Sequence, residues 1–326
     1  MLTAGAAAFF ALTTAPAPAA TLSFVQNFSG GDFSVPRFPS VDSSGNVFVA
    51  DGGNNAIDEF NPTNFAGTFQ RFTGSFGAPS GVTVDSSGNV YFAEHSGERV
   101  GAFNLSNPAG TATIYGSNGN GSGQFFDPYG MAVDSAGNVY VADSNNNRIV
   151  RFNPSNFAGT FTSFGSGVFS SVSGVAVDSA GNVWVSDSGN NRIVRFNPSN
   201  FAGTFTSFGS GGSGAGQFNY PAGVALDSAG NVYVADENSS RIDAFNPSNF
   251  LGTFTSFGTG GSGNGQFTTP EGLTVDSLGN IFVADEGNNR IVELAGAVPE
   301  PVSAALLLGG AGLLAGFKRF GRARKA

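Results

Sequence analysis

The chain offers few residues for acid–base or metal chemistry, and they lie in short polar segments. Its single histidine, His95, follows Glu94 in the sequence Ala-Glu-His-Ser-Gly-Glu-Arg, which ends at Arg99. A histidine beside a carboxylate has the composition of a general base or a metal ligand. Zinc and iron sites use several histidine or cysteine ligands, whereas this chain has one histidine and no cysteine. Because an exposed turn accepts any polar residue, we favour a surface role for His95 over catalysis and predict no catalytic residue.

Oxygen-rich turns leave a calcium site open. Residues 143–147 read Asp-Ser-Asn-Asn-Asn, like the start of a calcium-binding loop, and related turns occur at 187–191 and 285–289. They lack the glycine and the distant glutamate of that loop, so ordinary turn hydrogen bonding explains them without a metal. The glycine-rich stretches 211–216 and 260–265 lack the lysine and helix of a phosphate-binding loop and are predicted to be flexible connections. We therefore predict no cofactor, with calcium as the alternative.

These turns belong to a repeat that occupies most of the chain. The sequence Val-Asp-Ser-x-Gly-Asn occurs six times with small changes, and successive copies are 43, 49, 44, 49 and 49 residues apart. A period in the forties indicates an array of similar supersecondary units. We number these units 1 to 6 by their aspartates, which are Asp42, Asp85, Asp134, Asp178, Asp227 and Asp276.

Unit 4 indicates how one repeat folds. Short apolar, β-branched segments alternate with turns, and strands are predicted at 174–177, 183–185, 193–196 and 204–208. In the first turn, Gly181 supplies a positive φ angle and Asp178 accepts hydrogen bonds from backbone N–H groups. Four antiparallel strands in each repeat are typical of a β-propeller blade. The predicted fold class is therefore all-β, a six-bladed β-propeller.

Closure of the ring is predicted from the two ends of the array. Unit 6 stops after its third strand, near Leu294, whereas the other units continue into a fourth strand. A segment of the missing type precedes unit 1, where residues 22–28 read Leu-Ser-Phe-Val-Gln-Asn-Phe. We predict that this N-terminal strand completes the last blade, because pairing would protect an edge that is otherwise open.

The repeat resembles the NHL-repeat family. The resemblance rests on Gly-Val-Ala-Val-Asp-Ser-x-Gly-Asn-Val-Tyr-Val-Ala-Asp followed by Asn-Arg-Ile-Val, most clearly at residues 130–150 and 272–292. It covers roughly residues 22–294 and recurs in all six units. It implies a six-bladed propeller but no single activity, because such propellers are binding scaffolds in many settings and enzymes in a few.

Positions that differ between units are the candidates for specific binding. The residue before the glycine that opens each first strand is Arg37, Ser80, Tyr129, Ser173, Ala222 or Glu271 in units 1 to 6, although Phe38 replaces the glycine in unit 1. First strands line the channel of a propeller, so these residues are predicted to ring one mouth. Second turns open on the same face and add further polar residues. The predicted ligand-binding residues are Arg37, Tyr129, Glu271, Glu94, His95, Glu237 and Glu286.

By contrast, a turn arginine recurs in five of the six units and is predicted to be structural, paired with a turn acid. These arginines are Arg99, Arg148, Arg192, Arg241 and Arg290, with Ala56 at the equivalent position of unit 1.

The N-terminus is predicted to direct export. Residues 6–12 are apolar, and Ala-Pro-Ala at 17–19 fits the small-x-small rule for cleavage, so residues 1–19 are predicted to be a signal peptide. The basic residues that usually begin such a peptide are missing, which favours a true start further upstream.

The C-terminus carries a three-part tail, predicted to span 297–326. Val298, Pro299, Glu300 and Pro301 precede sixteen uncharged residues and then a basic cluster. Sixteen helical residues span about 24 Å, and flanking lysine and arginine side chains extend this toward the roughly 30 Å bilayer core. A single transmembrane helix with a cytoplasmic basic end is therefore predicted.

This tail resembles the PEP-CTERM sorting signal of Gram-negative bacteria. The resemblance implies processing by an exosortase and delivery to the cell surface or an extracellular polysaccharide matrix. An ordinary tail anchor is the alternative.

Charge and internal duplication bear on function. Residues 1–301 carry nine basic and 23 acidic side chains, a balance of −14, which should repel nucleic acid. Residues 151–167 and 195–211 are identical, which suits a scaffold of interchangeable blades. We predict that residues 20–296 form an exported, non-enzymatic binding or structural module for matrix polysaccharide or another surface protein. The alternative is a calcium-dependent propeller enzyme, such as a lactonase or lyase.

Overall fold

The computed structural model describes residues 21–29, 31–74, 76–108 and 112–296. The predicted signal peptide, the sorting motif at 298–301 and the predicted C-terminal transmembrane helix lie outside the described residues. Within the described ranges, no helix is long and apolar enough to cross a membrane.

Each repeat unit forms antiparallel strands that pair in chain order. The strands are numbered along the chain, starting with β1 (Leu22–Phe28), which precedes the repeats. Unit 1 contains β2 (Pro36–Val41), β3 (Val47–Asp51), β4 (Ala56–Phe60) and β5 (Gln70–Thr73); unit 2 contains β6 (Pro79–Val84), β7 (Asn89–Glu94), β8 (Arg99–Asn104) and β9 (Thr113–Tyr115). After β10 (Ser117–Asn118) and β11 (Gln124–Phe125), unit 3 contains β12 (Pro128–Val133), β13 (Val139–Asp143), β14 (Arg148–Phe152) and β15 (Thr162–Phe164).

The second half of the array repeats this order. Unit 4 contains β16 (Val172–Val177), β17 (Val183–Asp187), β18 (Arg192–Phe196) and β19 (Thr206–Phe208). After β20 (Ser210–Gly211) and β21 (Gln217–Phe218), unit 5 contains β22 (Pro221–Leu226), β23 (Val232–Asp236), β24 (Arg241–Phe245) and β25 (Thr255–Phe257). After β26 (Thr259–Gly260) and β27 (Gln266–Phe267), unit 6 contains β28 (Pro270–Val275), β29 (Asn280–Asp285) and β30 (Arg290–Gly296).

A single helical turn precedes the fourth strand in units 1, 3, 4 and 5. In unit 4 it delays the fourth strand, which begins at Thr206 rather than at the predicted residue 204. The turn is held by side chains, because Thr204 Oγ1 accepts from the Asn197 N–H at 2.7 Å and Asn197 Oδ1 accepts from the Ser199 N–H at 3.0 Å. The four turns are α1 (Phe65–Thr68), α2 (Phe157–Thr160), α3 (Phe201–Thr204) and α4 (Phe250–Thr253).

Short 3₁₀ helices occupy several of the remaining turns. Those at the second turns are Gly52–Asn54, Ser188–Asn190, Glu237–Ser239 and Glu286–Asn288, and those after third strands are Pro62–Asn64, Pro154–Asn156 and Pro247–Asn249.

The first turn of each unit has the predicted chemistry, as unit 4 shows. Gly181 has a φ angle of 78°. Asp178 Oδ1 accepts from the backbone N–H groups of Ala180 and Asn182 at 3.0 and 2.9 Å. Asp178 Oδ2 accepts from Trp184 Nε1 at 3.1 Å. The recurring aspartate therefore fixes the hairpin, and in units 2 to 5 it also accepts a hydrogen bond from a buried tyrosine or tryptophan of the second strand.

The pairing predicted for residues 22–28 is confirmed. Strand β1 lies antiparallel to β30, from Leu22 opposite Gly296 to Phe28 opposite Ile291. Leu22 is buried with residues of units 5 and 6, and Phe28 is buried with residues of units 6 and 1. The N-terminal strand therefore supplies the fourth strand of unit 6 and also packs against the neighbouring units 5 and 1.

The first strands lie side by side around the centre of the array. A Cβ atom on Gly130 would be 2.7 Å from the Ser173 carbonyl oxygen, and one on Gly174 would be 2.6 Å from that of Ala222. Only glycine permits this approach of neighbouring backbones. Each first strand therefore packs directly against the next, and β28 of unit 6 packs against β2 of unit 1.

Phe38 stands where the other units have this glycine, and it is 6% exposed. Its ring meets the Tyr129 ring edge-on, with centroids 6.2 Å apart, and lies close to Gly130 of unit 3 and Gly272 of unit 6. Phe38 thus reaches across the centre of the ring. At the far ends of the first strands, aliphatic residues including Val133 line a cavity of about 300 Å³.

The glycine-rich connections are ordered, contrary to the prediction that they are flexible. Strands β26 and β27 form a short parallel pair around residues 261–265. Gln266 Oε1 accepts from the Gly263 N–H at 2.9 Å, and Arg290 donates to the carbonyl oxygens of Ser262 and Gly263 at 2.7 and 3.1 Å. The equivalent loop before unit 5 has the same strand pair and receives a hydrogen bond from Arg241 to the Ser213 carbonyl oxygen at 2.7 Å. Side-chain hydrogen bonds therefore hold chain segments whose composition alone indicates flexibility.

Candidate functional site

The recurring turn arginines pair with the acid that ends each second strand, as predicted. The Nε atoms of Arg148, Arg192 and Arg290 each lie 2.7 Å from a carboxylate oxygen, and Arg241 Nη2 lies 3.2 Å from Asp236. The partner acids, Asp143, Asp187, Asp236 and Asp285, are fully buried. Removing one member of such a pair leaves a buried charge uncompensated, so these residues maintain the scaffold.

In unit 1 a different arginine pairs with the buried acid at the end of the second strand. Ala56 occupies the arginine position, and Arg71 of the fourth strand instead lies 2.8 Å from both Asp51 and Asp58. Burial raises the pKa of Asp58 to about 7. The buried acid at the end of the second strand is thus matched by a cation in this unit also.

Glu94 belongs to this structural set, and the structure does not bring it to the channel mouth. It is the last residue of β7, is 0% exposed and forms an ion pair with Arg99. The sequence interpretation treated Glu94 as a turn residue. The second strand of unit 2 includes it, so its side chain faces the interior between strands.

The other predicted residues cluster around Arg37 at the channel mouth, which we call the Arg37 cluster: Arg37, Tyr129, Glu237, Glu271 and Glu286. Arg37 Nε lies 3.3 Å from Glu271 Oε2, and Arg37 Nη2 lies 3.6 Å from Glu286 Oε1. Arg37 Nη1 donates to the Tyr129 hydroxyl at 3.5 Å, and the guanidinium carbon lies 5.4 Å from the Tyr129 ring centroid. Residues from units 1, 3, 5 and 6 therefore meet at one point.

The cluster contains three glutamates and one arginine, and the pKa values of two of the glutamates are raised. Burial raises the pKa of Glu271 well above its usual range, and the neighbouring Glu286 raises it further. Burial, followed by repulsion from Glu286, raises the pKa of Glu237 to about 7. Arg37 opposes both shifts. The cluster therefore retains protons near neutral pH that isolated glutamates would lose.

One buried contact in the cluster is poorly matched. Arg37 Nε and Glu271 Oε2 face each other at 3.3 Å, yet neither atom makes a hydrogen bond to any residue that the structure describes. Buried polar atoms are nearly always hydrogen-bonded in folded proteins. Arg37 Nε and Glu271 Oε2 therefore interact as a buried ion pair rather than through a hydrogen bond.

His95 lies on the unit 2 side of the mouth. Its Nδ1 contacts Asp127 Oδ1, and its ring meets the Tyr129 ring edge-on with centroids 5.8 Å apart. His95 thus contacts the Arg37 cluster through the Tyr129 ring rather than through Arg37 or the glutamates.

Asp127 and Tyr220 are mouth residues that the sequence interpretation missed. Each precedes the proline that begins a first strand, and both have positive φ angles, 59° and 58°. The Glu271 and Asp127 carboxylates both contribute to raising the Tyr220 pKa, after burial and the effect of Glu237. The sequence signal that could have identified them is the variation of this position between units, where the other residues are Val35, Ala78, Ser171 and Thr269.

The turns that resemble the start of a calcium-binding loop are a poor fit to a metal ion. Asp143 of the turn 143–147 is bound by Arg148 and by Asn146 Nδ2 at 2.7 and 2.9 Å, and Asp187 and Asp285 have the same partners. At the mouth, the Arg37 guanidinium occupies the position between Glu271 and Glu286 that a cation would take. Among the described residues, no group of three or more acidic or histidine side chains is arranged to hold a metal.

Solved structures of similar fold include proteins with different activities. A catalytically inactive virginiamycin B lyase from Staphylococcus aureus, crystallised with quinupristin, has 19% identity and a TM-score of 0.57, covering 82% of each chain. A gluconolactonase from Xanthomonas campestris has 13% identity and a TM-score of 0.63, covering 81% of this chain and 86% of that one. A chain of a nidogen–laminin complex has 16% identity and a TM-score of 0.59, covering 73% and 85%. At these identities the likeness concerns the fold alone.

Sequence comparison identifies the repeat itself. No match to the chain was found among curated proteins. The profile of the NHL repeat matches residues 127–152, 169–196, 218–245 and 267–294, which are segments of units 3 to 6. The chain therefore contains four NHL repeats within an all-β, propeller-like fold.

Proposed function

We propose that the chain is a six-bladed propeller that binds a ligand at the Arg37 cluster and acts as a non-enzymatic binding module. Six repeat units and the side-by-side packing of their first strands support the blade number. The observation that carries the binding function is the Arg37 cluster itself, in which side chains that differ between the units meet at the channel mouth.

The ligand class that suits this mouth is a polysaccharide. Carboxylates and a guanidinium can bind hydroxyl groups, and tyrosine side chains offer an apolar face with a polar tip. One face of the Tyr129 ring carries the Arg37 guanidinium, so Tyr220 and the other face of Tyr129 are the surfaces for a sugar ring. A matrix polysaccharide is consistent with the export that the sequence predicts.

Replacing Arg37, Tyr129 and Glu271 together by alanine should weaken retention on matrix polysaccharide at least tenfold, about 1.4 kcal/mol. These side chains contact one another across three units, so the triple variant also loses packing. Glu271→Gln and Tyr129→Phe preserve the shapes of the side chains and should each reduce retention without a large change in melting temperature. Arg195→Ala, on the third strand of unit 4, is the control. Equal retention by all variants, measured by affinity electrophoresis, would place the ligand elsewhere.

Sorting is a separate part of this proposal. Residues 1–19 direct export, and the tail 297–326 is recognised through Val298, Pro299, Glu300 and Pro301 by an exosortase. The mature propeller then resides at the cell surface or in the matrix of a Gram-negative bacterium. Its support is the order of motif, uncharged segment and basic cluster in the sequence.

Replacement of Glu300 by Ala should abolish sorting and leave the propeller folded, because every strand of the described fold ends by Gly296. Truncation after Ala297 should release a folded propeller into the medium. Cell fractionation with immunoblotting measures both outcomes. Normal processing and unchanged location of the Glu300→Ala protein would reduce the tail to an ordinary anchor.

An enzyme of the lactonase or lyase type is the second candidate. It is favoured by Glu237, whose pKa of about 7 suits a general acid or base, and by fold neighbours that include a lyase and a gluconolactonase. Lactone hydrolysis that requires calcium and is lost in Glu237→Gln would support this candidate over the binding module.

A further inference from the structure

We propose that a cavity between units 1 and 2 binds a small, neutral aromatic molecule of one or two rings. The cavity has a volume of about 300 Å³. Second, third and fourth strands and the loops beside them line it, so it is separate from the channel mouth and independent of the glycan binding proposed there. The observation that carries the inference is that unit 2 lacks two aromatic rings that other units pack at this position.

The missing rings belong to the helical turn that precedes the fourth strand. In unit 3 this turn begins at Phe157 and is followed by Phe161, and the two ring centroids lie 5.7 Å apart. Unit 2 has Pro108 and Ala112 at these positions, within the sequence Asn-Pro-Ala-Gly-Thr-Ala. Units 1, 4 and 5 keep both rings, as Phe65 and Phe69, Phe201 and Phe205, and Phe250 and Phe254. Unit 2 therefore departs from the repeat by losing the pair.

The walls of the cavity are the residues that would contact those rings. In unit 3, the Phe157 ring packs against Tyr115, Phe125 and Phe152, with centroids 5.5, 6.5 and 4.9 Å away. The equivalent residues at the boundary between units 1 and 2 line the cavity and are Phe72, Phe76 and Phe103. The cavity thus has the aromatic surroundings of the other boundaries without the rings that fill them.

Phe92 fills part of this space and forms a further wall. The other units have valine at its position on the second strand, and Gly101 makes room for the larger ring, because a Cβ atom there would lie 2.1 Å from it. The Phe92 and Phe76 ring centroids lie 4.8 Å apart. A cavity of about 150 Å³ lined by apolar side chains is enough to hold benzene. The cavity that remains here is therefore large enough for two fused rings.

The polar residues of the lining favour a neutral, electron-rich ring. Glu94 and Arg99 line the cavity as an ion pair, so their charges cancel. In unit 3 the Arg148 guanidinium carbon lies 5.8 Å from the Phe161 ring centroid, and similar contacts occur in units 1 and 4. A ligand ring in the space beside Ala112 can take the equivalent position near Arg99. Attraction between a guanidinium and the face of a ring is strongest for electron-rich aromatic groups.

The edge of the cavity also differs from the other units. Ile114 lines it and is 42% exposed, so an apolar side chain lies where the cavity meets solvent. The equivalent residues of the other complete units are polar and are Arg71, Ser163, Ser207 and Ser256. An apolar entrance suits a ligand that gains free energy by leaving water.

The test compares an aromatic alcohol with its saturated counterpart. When 2-naphthol and decahydro-2-naphthol are titrated into the full chain by calorimetry, we expect 2-naphthol to bind about tenfold more tightly. Ala112→Phe restores a ring that other units carry, so it should abolish 2-naphthol binding and raise the melting temperature. Ala112→Leu fills less of the space, should weaken binding several-fold, and decides the question if the phenylalanine variant is unstable. Ala158→Phe adds the same ring at an exposed position of unit 3 and, as the control, should leave binding unchanged.

The contrary outcomes are distinct. Unchanged 2-naphthol affinity in the folded Ala112 variants, or no binding of 2-naphthol to the unaltered chain, would overturn the inference. Equal affinity for the saturated alcohol would overturn the aromatic class of the ligand. Tighter binding of N-acetyltryptophanamide would assign the cavity to a side chain of a partner protein and overturn the small-molecule ligand. Retention on polysaccharide should be unaffected by Ala112→Phe, so each of these failures leaves the proposed function standing.

Discussion

Deletion of residues 22–28 should abolish the folded monomer. The deletion removes strand β1, whose six registered positions pair with β30, and it removes the buried Leu22 and Phe28. Each lost hydrogen bond costs about 0.5–1.5 kcal/mol, and each of the two side chains contributes about 1.5–3 kcal/mol. The total is comparable with the roughly 5–15 kcal/mol stability of a whole domain. Circular dichroism melting and size-exclusion chromatography should report unfolding and aggregation.

Two point variants test the buried and the exposed side chains of β1 separately while keeping the strand itself. Phe28→Ala should lower the free energy of unfolding by about 3–5 kcal/mol, because Phe28 packs within 5.3 Å of both Phe60 and Phe65, measured between ring centroids. Val25→Thr should change little, because Val25 is 45% exposed. A deletion protein that remains monomeric with an unchanged melting temperature would show that β1 does not stabilise unit 6.

Features that recur in every unit could be predicted from the sequence. The Asp178 turn, the arginine–acid pairs and the pairing of residues 22–28 with unit 6 each depend on a pattern repeated along the chain or missing at its end. Local hydrogen bonding and strand period determine these features. The repeat therefore identified an all-β fold and the face that carries the mouth, although strand limits shifted by one or two residues.

Features that depend on side chains from distant units could not be predicted. The Arg37 cluster joins residues up to 249 positions apart, from Arg37 to Glu286. Sequence position indicated that they share a mouth, but not that Arg37 pairs with two glutamates and covers one face of Tyr129. Glu94 was assigned to the wrong environment because it was grouped with the turn residues Glu237 and Glu286, whereas it is the residue before the turn, equivalent to the buried Asp236 and Asp285. Arg71 compensates for Ala56 from a different strand, which no comparison of aligned positions reveals.

Phe38→Ala should destabilise the fold by about 3–5 kcal/mol, the usual cost of removing a buried phenylalanine ring. The other five units have glycine at this position, so the repeat pattern alone predicts a neutral change. The structure predicts otherwise, because the Phe38 ring contacts Tyr129 and lies against Gly130 and Gly272. Urea denaturation measures the loss, and Phe38→Leu, which keeps most of the volume, should recover much of it.

The same substitution should weaken ligand binding at the mouth. Tyr129 holds the Arg37 guanidinium through its hydroxyl and its ring, and the Phe38 ring contacts the Tyr129 ring edge-on. Without this contact, Tyr129 gains rotational freedom and the ligand must order it on binding. We expect Phe38→Ala to weaken glycan affinity several-fold under conditions in which calorimetry and circular dichroism show a folded protein. If the variant kept full stability and full affinity, Phe38 would contribute neither to folding nor to the position of Tyr129, and other residues would have to hold Tyr129 in place.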